Sequence, residues 1–168
     1  MNFLPYENIT YLSKLNIDQI SERLNNVVEP VSSNFYSKTF KRISNFEYTG
    51  TVQFDSFKIV RIIQYRNSFL PLIKGVIESD FQGSIVKVKM RMHPFVLVFC
   101  IIWFGLLSIG IFFMTLVLLT SAKFEPATLI PYGMFLFGYI LVTAGFKYES
   151  KKSKFFFAEL FEAEIIKD

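Results

Sequence analysis

The chain holds a single cysteine, Cys100, so no disulfide can form within it and a disulfide scaffold is excluded. A lone cysteine agrees with a reducing compartment. It also holds a single histidine, His93, which rules out a multi-histidine metal site. No glycine-rich phosphate loop occurs, and no RNA- or DNA-binding motif. An enzyme built on this chain would have to work with carboxylates, lysines, serines or tyrosines alone. The expectation is therefore a non-enzymatic protein without a cofactor or metal, and without nucleic acid as a partner. Glu78 and Asp80 come closest to a carboxylate pair, but they border residues 79–83, where turn residues cluster and acids are common. Arg66, Asn67 and Ser68 could form a ligand loop, and a hairpin turn explains them equally well.

Charge is scarcest between Pro94 and Phe146, where only Lys123 and Glu125 carry any. Crossing a hydrocarbon core of about 30 Å takes about 20 apolar residues in a helix. Residues 94–120 exceed that length without one charge, and residues 126–146 just meet it. If Pro126 opens the second helix, Pro131 kinks it one turn in; if Pro131 is the true start, the span is short. The connector, residues 121–125, is short enough to force an antiparallel hairpin. Neither span contains Asp, Glu, Lys, Arg or His, which argues against a proton relay or an ion transporter. Gly105, Ser108, Gly138, Tyr139 and Gly145 are the residues expected to pack the two helices, the glycines through close approach. Trp103 lies too deep for an interfacial belt, so it is expected in the hairpin or against a second protomer.

Positive charge flanks the pair of spans. Lys87, Lys89 and Arg91 precede it; Lys147, Lys151, Lys152 and Lys154 follow it; the connector has Lys123 alone. Positive residues stay inside, so both termini are expected in the cytoplasm, with the chain in the cell (inner) membrane. The same seven residues are the expected contacts to lipid headgroups. The opening Met-Asn-Phe-Leu-Pro-Tyr-Glu has no basic start and no continuous apolar run, so the first span is expected to do the targeting.

Residues 1–93 carry 12 Lys and Arg against 8 Asp and Glu, whereas the tail from Lys147 balances five against five. The excess positive charge thus belongs to the N-terminal part. Residues 16–28 place Ile17, Ile20, Leu24 and Val27 on one helical face, with Asn16 as N-cap and Pro30 as the stop. Its polar face has no Lys/Arg cluster, so this helix is expected to pack on a sheet rather than lie on a membrane. Residues 50–54, 58–65, 69–78 and 84–93 alternate as strands of an antiparallel meander. Pro71 and Gly75 in the third mark an edge or a bulge. The fourth is the clearest, with Val86, Val88, Met90 and Met92 against Lys87, Lys89, Arg91 and His93, and it runs into Pro94 with no spacer. Beyond the spans, residues 146–149 alternate as a short strand, and Ser150 or Ser153 could cap a helix through about residue 166 with Phe156, Phe157, Leu160 and Phe161 as its stripe. Its lysines would then sit at its start and its glutamates near its end, the wrong sense for the helix dipole unless the second span continues as one long helix.

The expected architecture is an α+β membrane protein. A small antiparallel β-meander domain with N- and C-terminal helices (residues 1–93 and 147–168) is interrupted by a two-helix transmembrane hairpin (residues 94–146). This layout, a small sheet with a C-terminal helix accompanying two spans, resembles that of bacterial membrane-tethered pleckstrin-homology-like domains, with no motif by which residues carry across. The functional expectation is a domain that binds a partner or ligand and couples it to the hairpin, within a homo-oligomer or with a protein partner in the lipid bilayer. A membrane effector that oligomerises through its hairpin and perturbs the bilayer is the alternative, and a membrane-bound enzyme a third.

Overall fold

The computed structural model describes residues 4–30, 46–120 and 126–167. The expected connector at residues 121–125 lies outside them. Along the chain come β1 (Tyr6–Ser13), α1 (Ile17–Val27), β2 (Val28–Pro30), β3 (Tyr48–Val52), β4 (Ser56–Arg61), β5 (Pro71–Asp80), β6 (Gly83–Met92), α2 (Pro94–Thr120), α3 (Ile130–Leu160) and β7 (Ala163–Lys167). A 3-10 turn at Pro126–Leu129 precedes α3, and Pro131 stands in the helix's first turn, where a missing N–H costs nothing.

The sheet has seven strands in the order β2-β3-β4-β5-β6-β1-β7. The expected meander is its centre, β3 to β6, all antiparallel. The expectation of a purely antiparallel four-stranded body is corrected: β2 pairs parallel with β3, and β1 and β7 extend the other side. Strand β1 was hidden by its polar half. Ile9, Tyr11 and Ser13 point into the core, while the intervening Asn8, Thr10 and Leu12 face outward. The β5 expectation is corrected too. It lies between β4 and β6 in unbroken register, neither an edge nor a bulge. Pro71 only opens the strand, and Gly75 leaves the space that the Phe57 ring fills; a Cβ there would come within 2.1 Å of that ring. At the β5–β6 turn Gly83 takes φ 144°, and a Cβ would meet the Ser13 carbonyl oxygen.

One face of the sheet forms the core. Ile59, Ile73, Ile77, Val86, Val88 and Met90 point from β4, β5 and β6 into it. Helix α1 lies on this face through Ile20 and Leu24, opened by a capping box of Asn16 and Gln19. The last two turns of α3 complete it. Phe157 and Phe161 stack at 5.5 Å and meet Tyr48 and Phe57 at 5.3–6.3 Å.

Helix α3 departs from the expectation of a strand at residues 146–149 followed by a separate helix. It is one helix of 31 residues. No glycine or proline falls between Gly145 and Leu160, so nothing breaks it. Its length of roughly 46 Å exceeds a hydrocarbon core of about 30 Å by about half. The dipole conflict disappears, because the lysines now lie far from the N-terminus. The chain does rejoin the sheet after the spans, but through β7 beyond the helix.

Helices α2 and α3 are each long and apolar enough to cross a membrane, and only 6% of the residues in the most apolar stretch of each are buried. They meet through Phe104 and Phe135, edge to face at 5.1 Å, and through the Thr115 and Tyr132 hydroxyls at 2.6 Å.

Candidate functional site at the junction of sheet and long helix

The buried stripe of α3 is Val142, Phe146, Glu149, Ser150, Ser153 and Phe157, at the three- and four-residue spacing of a single helical face. Five of these are apolar or small. Glu149 is neither, yet its side chain is fully buried. Burying a carboxylate without partners is costly, so its surroundings decide what it does.

Two groups from the sheet side close on it. Arg61, the last residue of β4, donates from its guanidinium to Oε2 at 2.9 Å. Tyr65, in the segment that follows, donates its hydroxyl to Oε1. This hydrogen bond is the main reason the Tyr65 phenol is pushed up to about 12. Both carboxylate oxygens are thereby satisfied from one strand end and its loop. Two residues further, the Asn67 amide donates to the Gly145 carbonyl at 3.1 Å, and its Oδ1 accepts from the Phe69 N–H at 3.0 Å. Gly145 is small enough for this: a Cβ would sit 3.0 Å from Phe69. The segment between β4 and β5 therefore clasps α3 at Gly145 and Glu149, one turn apart.

The fastening continues up the helix. Lys147 pairs with Glu7 of β1 at 2.7 Å. Tyr48 donates to the Ser153 hydroxyl at 3.1 Å, and burial holds the Tyr48 phenol near 12. Tyr11 reaches the Lys154 carbonyl at 3.1 Å, and Ser13 the Phe161 carbonyl at 2.5 Å. Arg23 of α1 donates to the Leu160 carbonyl and pairs with Glu162. The other span is joined more simply. Only His93 separates β6 from α2; its ring nitrogen accepts from the Phe95 N–H at 3.3 Å and its carbonyl from the Leu97 N–H at 3.0 Å, so it caps the helix.

The residues singled out for packing the hairpin fall in different places. Gly138 faces Phe104 and Trp103 of α2, Gly105 borders open space, and the Ser108 hydroxyl bonds back to the Phe104 carbonyl of its own helix. Tyr139 is partly exposed, and Gly145 faces Asn67 and Phe69 rather than α2. Of the basic residues, Lys87 bonds Glu78 at 2.6 Å, Arg91 lies over the Tyr6 ring, and Lys152 lies over Tyr148 at 4.2 Å. Lys89 and Lys151 are exposed, and Lys154 is half-buried. Asp80 sits beside the β5–β6 turn, opposite Gly83.

Among the described residues no group of three or more His, Cys, Asp or Glu could hold a metal ion. No protein-family model matches the chain, and neither a curated protein nor a solved structure matches it.

Proposed function

We propose that this chain is a two-pass protein of the cell (inner) membrane that couples a cytoplasmic binding domain to a transmembrane hairpin, without catalysis of its own. The observation that carries the reading is the unbroken helix α3, which is apolar over its first half and fastened to the sheet at Glu149 over its second. The nearly unburied apolar surface of α2 and α3 supports a lipid environment, since a soluble core helix of that composition would be covered by protein. The flanking cations Lys87, Lys89, Arg91, Lys147, Lys151, Lys152 and Lys154 support both termini lying inside.

The buried ion pair supplies the coupling. If α3 rotated by one residue, or slid along the sheet, Glu149 would lose Arg61 and Tyr65 while still buried. A displacement of the sheet is therefore carried to the span as a rigid movement, and β6 carries the same displacement into α2 through His93. The outer surface of the hairpin, where Gly105, Gly110 and Gly133 front open space, suits a second copy of the chain.

Spin labels at Val76 on the sheet and Ile130 at the far end of α3, in a Cys100→Ala background in nanodiscs, test the coupling. The expected result is a narrow distance distribution that broadens in Glu149→Gln and in Arg61→Ala. Equal widths in all three proteins would contradict it.

A further inference from the structure

The face of the sheet turned away from α3 is exposed, and its charges are arranged by register. Lys58 of β4 stands directly opposite Lys74 of β5, and Lys74 directly opposite Lys89 of β6. Thr51 of β3 and Asn8 of β1 extend the row at its two ends. Like charges directly opposite one another destabilise a sheet. Three ammonium groups here share about 10 Å, given a strand spacing of about 4.8 Å. None of the three has a hydrogen-bond or ion-pair partner among the described residues, although Lys87, one row along, is paired with Glu78. Of the acids on this side, Glu78, Asp80 and Asp55 lie toward the turn end and Glu29 and Glu47 toward β2 and the start of β3; none stands in the row itself. The 31–45 segment, which lies between β2 and β3, carries Lys38, Lys41 and Arg42 and not one acid, so it cannot neutralise the row. Beside Lys58 and Lys74 the surface dips into a depression of about 420 Å³ lined also by Thr51, Gln53, Ser56 and Val76.

We propose that this row is a binding site for a multiply charged phosphate anion free in solution. A linear polyphosphate or the phosphate chain of a phosphorylated metabolite matches the ammonium spacing and brings the charge that the row lacks. The hydroxyl of Thr51 supplies a neutral donor at the rim, and the depression has room for an attached organic group over Val76. Among the described residues of the central strands, Tyr6 is the aromatic on this face and it lies under Arg91, so the strands themselves offer no open row of rings on which bases could stack. A flat bilayer reaches the end of β6 at Arg91 before it reaches this row, which favours a soluble anion over a headgroup. The site is on the side of the sheet opposite Glu149, so the inference stands independently of the coupling reading.

The full chain in neutral-lipid nanodiscs is titrated with inorganic tripolyphosphate at constant ionic strength, following heat release and the unfolding midpoint. The expected result is saturable binding that stabilises the domain and weakens at least tenfold in Lys74→Gln and in Lys89→Gln. Each variant removes a like-charge neighbour, so each is expected to fold at least as stably as the parent, and Lys151→Gln is expected to bind as the parent does. Unchanged affinity in both row variants would overturn the proposal. So would amine labelling in which nanodiscs of anionic lipid protect Lys58, Lys74 and Lys89 and tripolyphosphate does not.

Discussion

Glu149 is the residue on which the junction turns, and its neighbours allow two separate measurements. Removing one member of a buried, hydrogen-bonded ion pair costs on the order of 3 kcal/mol, because the other charge stays behind. Glu149→Gln is expected to lower domain stability by about that amount in denaturant titrations. Replacing Arg61 and Glu149 together by apolar residues of similar volume should restore most of it, and a double variant weaker than the sum of the singles would contradict the pairing. The phenols give the second measurement. Tyr65 ionises near 12 chiefly because its hydroxyl bonds Glu149, so Glu149→Gln should bring one phenol back toward the ordinary value of about 10 in absorbance at 295 nm. Tyr48 is raised to about 12 mainly by burial. A folded-state value above the unfolded one stabilises fully below pH about 10 and fades as pH rises toward 12, so the native protein should lose stability across that window and Tyr48→Phe should lose less. None of this was legible in the sequence. Glu149 reads there as one acid among neighbouring lysines, and its burial depends on Arg61, 88 positions away in the chain.

Periodicity exposes an element when one face is apolar and the other polar. Helix α1 and strands β5 and β6 meet that condition, and their bounds are readable to within a residue or two, as is the Asn16 cap. Strand β1 is obscured by its outward Asn8 and Thr10 and by the buried polar Ser13, and three-residue β2 is too short to show any pattern. After Phe146 the sequence of α3 suggests a strand, because four residues of helix, Phe146 to Glu149, also fit a two-residue alternation. Gly75 shows how a signal can be right and its cause different. It does mark a special place, but the reason is a ring from the next strand. Gly75→Val is expected to cost about 1–3 kcal/mol by overpacking against Phe57, and Phe57→Leu in the same chain should recover part of it. Full stability of Gly75→Val alone, read from the unfolding midpoint, would contradict that account.

At the scale of the whole molecule the two long apolar helices and the sheet are one connected frame, with β6 running into α2 and α3 running back through the core. The apolar runs make the two long helices readable, because absence of charge over such lengths has few other physical solutions. The joining of sheet and span was half readable: the missing spacer at Pro94 is plain, whereas the clasp at Gly145 and Glu149 is a product of folding. The proposed orientation, with both termini inside, has its own labelling test. Cysteines placed at 123 and 160 in a Cys100→Ala background should be labelled by an impermeant reagent from outside at 123 alone. The continuity of α3 is the claim on which the coupling rests, and double electron–electron resonance between labels at Ile130 and Lys151 in nanodiscs measures it directly. A single helix predicts one narrow peak near 32 Å, from about 1.5 Å of rise per residue. A broad distribution, or a peak several ångströms shorter, would mean that the helix bends or breaks where it leaves the membrane, and the frame would not transmit motion.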